Sequence, residues 1–181
     1  MKNIWKHLKL ISKHKLVVFY YCIKAGIPWR GFMHDWSKYS PTEFLESIKF
    51  YTGTGSPINE AKRIQGYSDA WLHHKGRNKH HYEYWIDNLD GGGVPLLIPY
   101  PYVMEMCCDM IAANKIYGGK NWTPDDLIKY WNSEKDKRKL HPAIKNFQNE
   151  FFIDFRNNGL SALNKTKTMS IYKKYTDNYT K

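Results

Sequence analysis

Along most of this chain, apolar residues recur at three- and four-residue steps, the period of a helix with one buried face. Residues 3 to 25 set the pattern with Ile4, Leu8, Ile11, Leu16, Phe19, Tyr20 and Ile23, closing at Gly26 with Pro28 beyond. Ser40-Pro41-Thr42-Glu43 then supplies an N-cap, a proline at the first helical position and an acid at the third, launching a helix through about Tyr51. A TGTGSP loop leads to a helix from about Ile58 to His74, broken at KGRN, with a short one resuming at YEYWI. DNLDGGGVPLLIPYP reads as the longest irregular stretch. Pro101 opens the next helix, YVMEMCCDMIAANKIYG, which ends at Gly118-Gly119. Thr123-Pro124-Asp125-Asp126 caps another through about Asn132, SEKDKRK follows as a charged loop or helix end, and HPAIKNFQNEFFIDFRNNG forms a last long helix.

No internal repeat and no credible sheet interrupts this pattern. It predicts an all-α fold: one helical domain of about six to eight helices over residues 1–160, followed by a basic tail over 161–181 rich in Lys, Thr and Tyr.

Composition adds partners to that frame. The formal net charge of +11 favours anionic ligands, either a small phosphorylated substrate or nucleic acid. No helix-turn-helix, zinc-finger or RRM signature supports the nucleic-acid choice. Cys22, Cys107 and Cys108 lack a CxxC spacing and read as small core residues of a reduced, cytoplasmic protein. The N-terminal stretch MKNIWKHLKLISKHKL is lysine-studded rather than a continuous apolar leader, and LVVFYYCI is too short to span a bilayer, so no membrane partner is expected.

The histidines change the picture most. Six of the eight fall into a metal-ligand arrangement: His14, then His34 in the segment HDWSK, then the adjacent pairs His73-His74 and His80-His81. Asp35 completes the His-Asp doublet, and Asp109 follows on its own helix with Glu105 one turn earlier as an outside candidate. Imidazole and carboxylate together suit Mn, Fe, Co, Ni or Zn, with Mg also admissible. On a regular helix His34 and Asp35 would diverge by roughly 100°, but near a helix end both side chains can reach one ion, and the carboxylate can bridge two. One or two ions held this way polarise a phosphoryl oxygen and activate water. Asp35, Lys38 and Arg77 are the residues assigned to catalysis, Lys38 as a point charge and Arg77 as a bidentate phosphate clamp. The KGRN and DGGG loops are placed at the rim of the pocket. His7 and His141 read as structural.

The ordered set His14, His34-Asp35, Asp109 resembles the signature of the HD-domain metal-dependent phosphohydrolase superfamily. HDWSK is similar to the HDxGK segment of the branch that cleaves cyclic dinucleotides, with Ser37 in place of glycine and no GYP motif after His80-His81. HDWSKYSPTEF together with HHKGRNKHHYEYW is also similar to an uncharacterised bacterial and phage family carrying these blocks over about residues 10–145. The resemblance implies an HD-like helical fold, with His14, His34, Asp35 and Asp109 around a first ion. Members of the pairs His73-His74 and His80-His81 would complete a second site, with Asp35 bridging. It implies a metal-dependent phosphohydrolase acting on a nucleotide, cyclic nucleotide or similar small phosphorylated molecule. The alternative is a non-catalytic basic helical module that binds nucleic acid or a protein partner and keeps a structural metal.

Overall fold

A computed structural model describes residues 2–53, 55–89 and 92–179. The start signals read from the sequence act where expected. Ser40 caps α3 (Pro41–Phe50), its hydroxyl accepting from the Glu43 amide, and Pro41 takes the first helical position. Thr123 and Asp126 close a reciprocal capping box on α7 (Pro124–Glu134). The long helices α1 (Lys2–Lys24), α6 (Tyr100–Gly118) and α8 (Pro142–Asn158) carry the remaining periodicity. Among the described residues there are nine α-helices, so the fold is all-α as expected.

The predicted helix from Ile58 to His74 is two helices, α4 (Pro57–Gln65) and α5 (Asp69–Arg77). Gly66 stops the first in a left-handed conformation (φ 82°), which costs glycine nothing. Ser68 restarts the chain by capping the Trp71 amide, and its hydroxyl donates to Glu46 of α3. YEYW is a 3₁₀ turn, Tyr82–Trp85, rather than a short α-helix. The expected absence of a sheet also gives way: β1 (Ile86–Leu89) pairs antiparallel with β2 (Gly92–Pro95), Ile86 opposite Pro95. Strands this short and glycine-rich carry no alternation to read.

The segment expected as a tail contains α9 (Lys165–Thr176), preceded by a 3₁₀ turn over Gly159–Leu163. Leu163, Ile171 and Tyr172 are buried in the main core, Tyr100 and Thr168 share a hydroxyl hydrogen bond, and Tyr172 donates to the Ile98 carbonyl. That core lies between α6, α7, α8 and α9, around Trp131, Phe147, Phe151, Phe152, Met104 and Ile111. No helix among the described residues is long and apolar enough to cross a membrane.

One close approach aims the rest of the molecule at its polar centre. The short helix α2 (Pro28–Met33) lies directly on α1, and a Cβ at Gly31 would sit 2.5 Å from Cys22 Cβ. Only glycine permits that contact, and it delivers the His-Asp doublet to the flank of α1 where His14 sits.

Candidate metal centre

Immediately after α2 the chain leaves helical geometry. His34 is extended (φ −56°, ψ 127°) and Asp35 is left-handed (φ 55°, ψ 26°), the lone non-glycine with positive φ among the described residues. Such a residue costs about 1–3 kcal/mol and persists where its surroundings fix it. Here the strain has a visible product. Instead of diverging, the two side chains meet, with His34 Nε2 3.2 Å from Asp35 Oδ2. A 3₁₀ turn over Trp36–Tyr39 follows and brings Lys38 Nζ to 2.6 Å from the same oxygen.

Other elements supply the rest. His74 on α5 places Nε2 3.2 Å from Asp35 Oδ1, and His80 places its Nε2 3.3 Å from the same atom. His14 on α1 has Nε2 2.9 Å from Asp109 Oδ1 of α6, which lies 3.7 Å from His34 Nε2. The ring of His81 lies tilted against His80 at 4.3 Å and edge-on to His74 at 4.8 Å between centroids. Ligand atoms converge within 4.8 Å of one another in three overlapping groups: Asp35, His74, His80 and His81; His14, His34 and Asp35; and His34, His80 and Asp109.

Two glutamates orient these rings. Glu105 Oε1 lies 3.0 Å from His34 Nδ1 and 3.1 Å from His80 Nδ1, while Oε2 accepts from Arg30 of α2 at 2.7 and 2.6 Å. Glu43 takes His73 Nδ1 at 2.6 Å on one oxygen and His74 Nδ1 at 2.7 Å on the other. An ionised carboxylate only accepts, so each Nδ1 carries a proton; in the neutral rings of His34, His74 and His80 the lone pair then falls on Nε2, which faces inward, as metal-ligating histidines are commonly held. The consequence is a set of buried atoms with no hydrogen-bond partner: His34 Nε2, His80 Nε2, His81 Nε2 and Asp35 Oδ1. Buried polar atoms are nearly always satisfied, and four such orphans facing one another form a coherent binding shell. The donor chemistry and the orphaned atoms both fit a divalent ion.

The electrostatics agree. Burial would raise the Asp35 carboxyl, yet His34, Lys38 and His74 hold it well below the carboxylate range. Burial would likewise raise Glu105, and its bonds to His34 and His80 bring it down to about 2. Desolvation opposes the charged form of His80, but Asp35 and Glu105 push it up to about 10. His81 moves the other way: burial, then repulsion from His80 and His74, depresses it strongly. Asp109 is depressed against burial by His14.

The cluster forms one wall of a cavity of about 650 Å³. His14, Lys38, His80, His81 and Asp109 face it, as do His7 and Ile11 of α1, Tyr117 of α6 and Arg138 after α7. Neither the KGRN loop nor Gly92 or Gly93 lines it; Asp90 and Gly91 lie outside the described residues.

Of the residues expected from sequence, His14, His34, Asp35, His74, His80, His81 and Asp109 are brought together, with Lys38 against Asp35. His73 is not among the converging atoms, because position 73 points one helical step away from 74 and its ring is held on Glu43 instead. Arg77 is exposed at the last position of α5 and makes no ion pair among the described residues. Its neighbour Asn78 turns inward, donating to Ser37 Oγ at 2.7 Å and the His74 carbonyl at 2.9 Å. The structure adds Glu43, Glu105 and Arg30 as supporting groups. The signal for Glu105 was present as an acid inside an otherwise apolar helical run, but Glu43 was masked by its position at a helix start.

The chain belongs to DUF5662, a family of unknown function whose sequence profile matches residues 3–153. No curated protein and no solved structure matches it.

Proposed function

We propose that this protein is a metal-dependent phosphohydrolase of the HD type. It cleaves a phosphoester or phosphoanhydride bond of a nucleotide, cyclic nucleotide or similar small phosphorylated molecule. The observation that carries this reading is the set of orphaned ligand atoms, His34 Nε2, Asp35 Oδ1, His80 Nε2 and His81 Nε2, set against an open cavity. The order His14, His34-Asp35, Asp109 supports it through its likeness to HD enzymes.

The two oxygens of Asp35 face different ligand groups. Oδ1 looks toward His74 and His80, and Oδ2 toward His34. Asp35 would therefore be shared between two sets of donors if two ions were held: His14 and His34, with Asp109 beside them, and His74, His80 and His81. A divalent transition ion bound there supplies positive charge to phosphoryl oxygens and lowers the pKa of a water ligand toward neutrality. Lys38 adds a fixed cation at the cavity wall for a non-bridging phosphate oxygen. Glu43 and Glu105 keep the imidazoles in one tautomer and orientation, so the site needs little reorganisation as charge develops. A purely structural ion calls for a closed shell, whereas His14, His80, His81 and Asp109 all border the cavity.

The test is elemental analysis of chain purified without chelators, paired with a phosphate-release screen over nucleotides and cyclic nucleotides with Mn, Co, Ni and Mg. Asp35→Ala removes the shared ligand. It should retain its helical circular dichroism, lose bound metal and lose phosphate release by more than about 100-fold. Turnover at the wild-type rate in that variant would sink the assignment.

A further inference from the structure

His7 is the buried histidine that the metal cluster leaves out. It is almost fully enclosed on α1, yet neither Nδ1 nor Nε2 has a hydrogen-bond partner. Its ring packs 5.0 Å from Tyr51 and 6.2 Å from Phe44, and it lines the same cavity as the cluster. Other unpartnered buried atoms outside the centre, such as Gln148 Oε1 and Asp154 Oδ2, belong to side chains whose second polar atom is engaged. A side chain with no engaged polar atom, bordering a cavity, is poised for a ligand.

The spacing along α1 says which part of a ligand it would meet. His7 and His14 are seven residues apart, which is close to two turns and about 10 Å along the axis, on nearly one face. Between them Leu10 and Ile11 line the cavity with no polar group to offer. A molecule lying along this face meets charge at His14 and Lys38, then an apolar stretch, then an imidazole with one donor and one acceptor beside an aromatic ring. That order matches phosphate, sugar and base laid end to end.

Building on the phosphohydrolase reading, we infer that His7 marks a nucleobase subsite, one ring nitrogen hydrogen-bonding to the polar edge of the base while Tyr51 flanks the ring. Burial, with Lys38 nearby, holds His7 below the ordinary histidine value, so the ring is neutral near pH 7 and keeps both functions. His7 is a specificity residue; it touches no ligand of the metal centre.

The experiment is calorimetric titration of the full chain, with metal content measured on each preparation. The ligands are ribose 5-methylenephosphonate and the adenosine, guanosine, cytidine and uridine 5′-methylenephosphonates, whose P–C bonds resist hydrolysis. At least one nucleoside analogue should bind about tenfold or more tightly than the ribose analogue. His7→Leu should erase that preference while the ribose analogue's Kd and the metal content stay unchanged, and His7→Gln should retain it in part. No preference for any nucleoside in the wild type overturns the subsite without recourse to a variant, as does a full preference in His7→Leu. Metal-free wild-type chain that ignores even the ribose analogue overturns the phosphohydrolase reading, and the subsite with it.

Discussion

The two faces of α6 belong to two different interiors. On one, Met104, Cys107, Cys108 and Ile111 pack into an aromatic core with Phe147, Phe151 and Phe152. On the other, Glu105 and Asp109 close a polar centre of charged or titratable groups, of which His34, Asp35, Glu43, His74, His80 and Glu105 are buried. The apolar interior is held by area and shape, and any well-packed set of similar volume would serve. The polar interior is held by specific partners: Glu43 answers His73 and His74, Glu105 answers Arg30, His34 and His80, and a lost partner leaves a buried charge exposed to its full desolvation cost. One helix can build both because residues 104, 107, 108 and 111 fall on one side of its 3.6-residue period and 105 and 109 on the other.

Four changes would break or sharpen that contrast. Phe152→Ala, at a fully buried position, should cost about 3–5 kcal/mol in a denaturant titration while metal per folded chain stays constant. A proportional loss of metal would mean the two interiors are mechanically one. Glu105→Gln should do the reverse, weakening metal affinity by about 10–100-fold in a competition titration with little change in helix content. Unaltered affinity would remove Glu105 from its supporting role.

The pH response should also split. In the metal-free chain His80, pushed up to about 10, is charged at neutral pH, and Asp35 and Glu43 raise His74 against burial. Ligation requires neutral rings, so metal affinity should rise with pH by about tenfold per unit for each proton displaced. The metal-free fold moves oppositely. A raised folded-state pKa gives stability that is complete below the ordinary histidine value of 6.5 and is lost as pH climbs toward about 10. Melting curves at pH 6.5 and 9, with and without manganese, should therefore diverge; parallel curves would contradict the arrangement. The smallest effect belongs to Arg77→Ala, which should leave stability within about 0.5 kcal/mol and phosphate release unchanged. A large loss there would restore the clamp that the exposed position of Arg77 denies.

The apolar interior was legible because it repeats. Period, Pro41, Pro124 and the Gly118-Gly119 stop place most helices within a turn. What escaped lacks a period: the glycine-rich hairpin, the Gly66-to-Ser68 stop and restart between two short helices, and α9, whose lysines hide the buried Ile171 and Tyr172. The polar centre was legible only as an inventory of ligand types. That His74 turns in while His73 turns out depends on one 100° helical step, and that Asp35 joins His34 depends on a backbone conformation no composition announces. Glu43 was hidden because its amide serves the Ser40 cap while its side chain serves the histidines.

Glu105 joins Arg30, His34 and His80, partners that stand 75, 71 and 25 positions before it in the chain. During synthesis, His34 and His80 emerge before Glu105, the acid that holds their Nδ1 atoms. Until α6 docks, neither of these two rings has the carboxylate that orients it. Docking α6 supplies Glu105 and Asp109 together and closes the polar centre. The polar centre therefore cannot be complete in any fragment of the chain that stops short of α6.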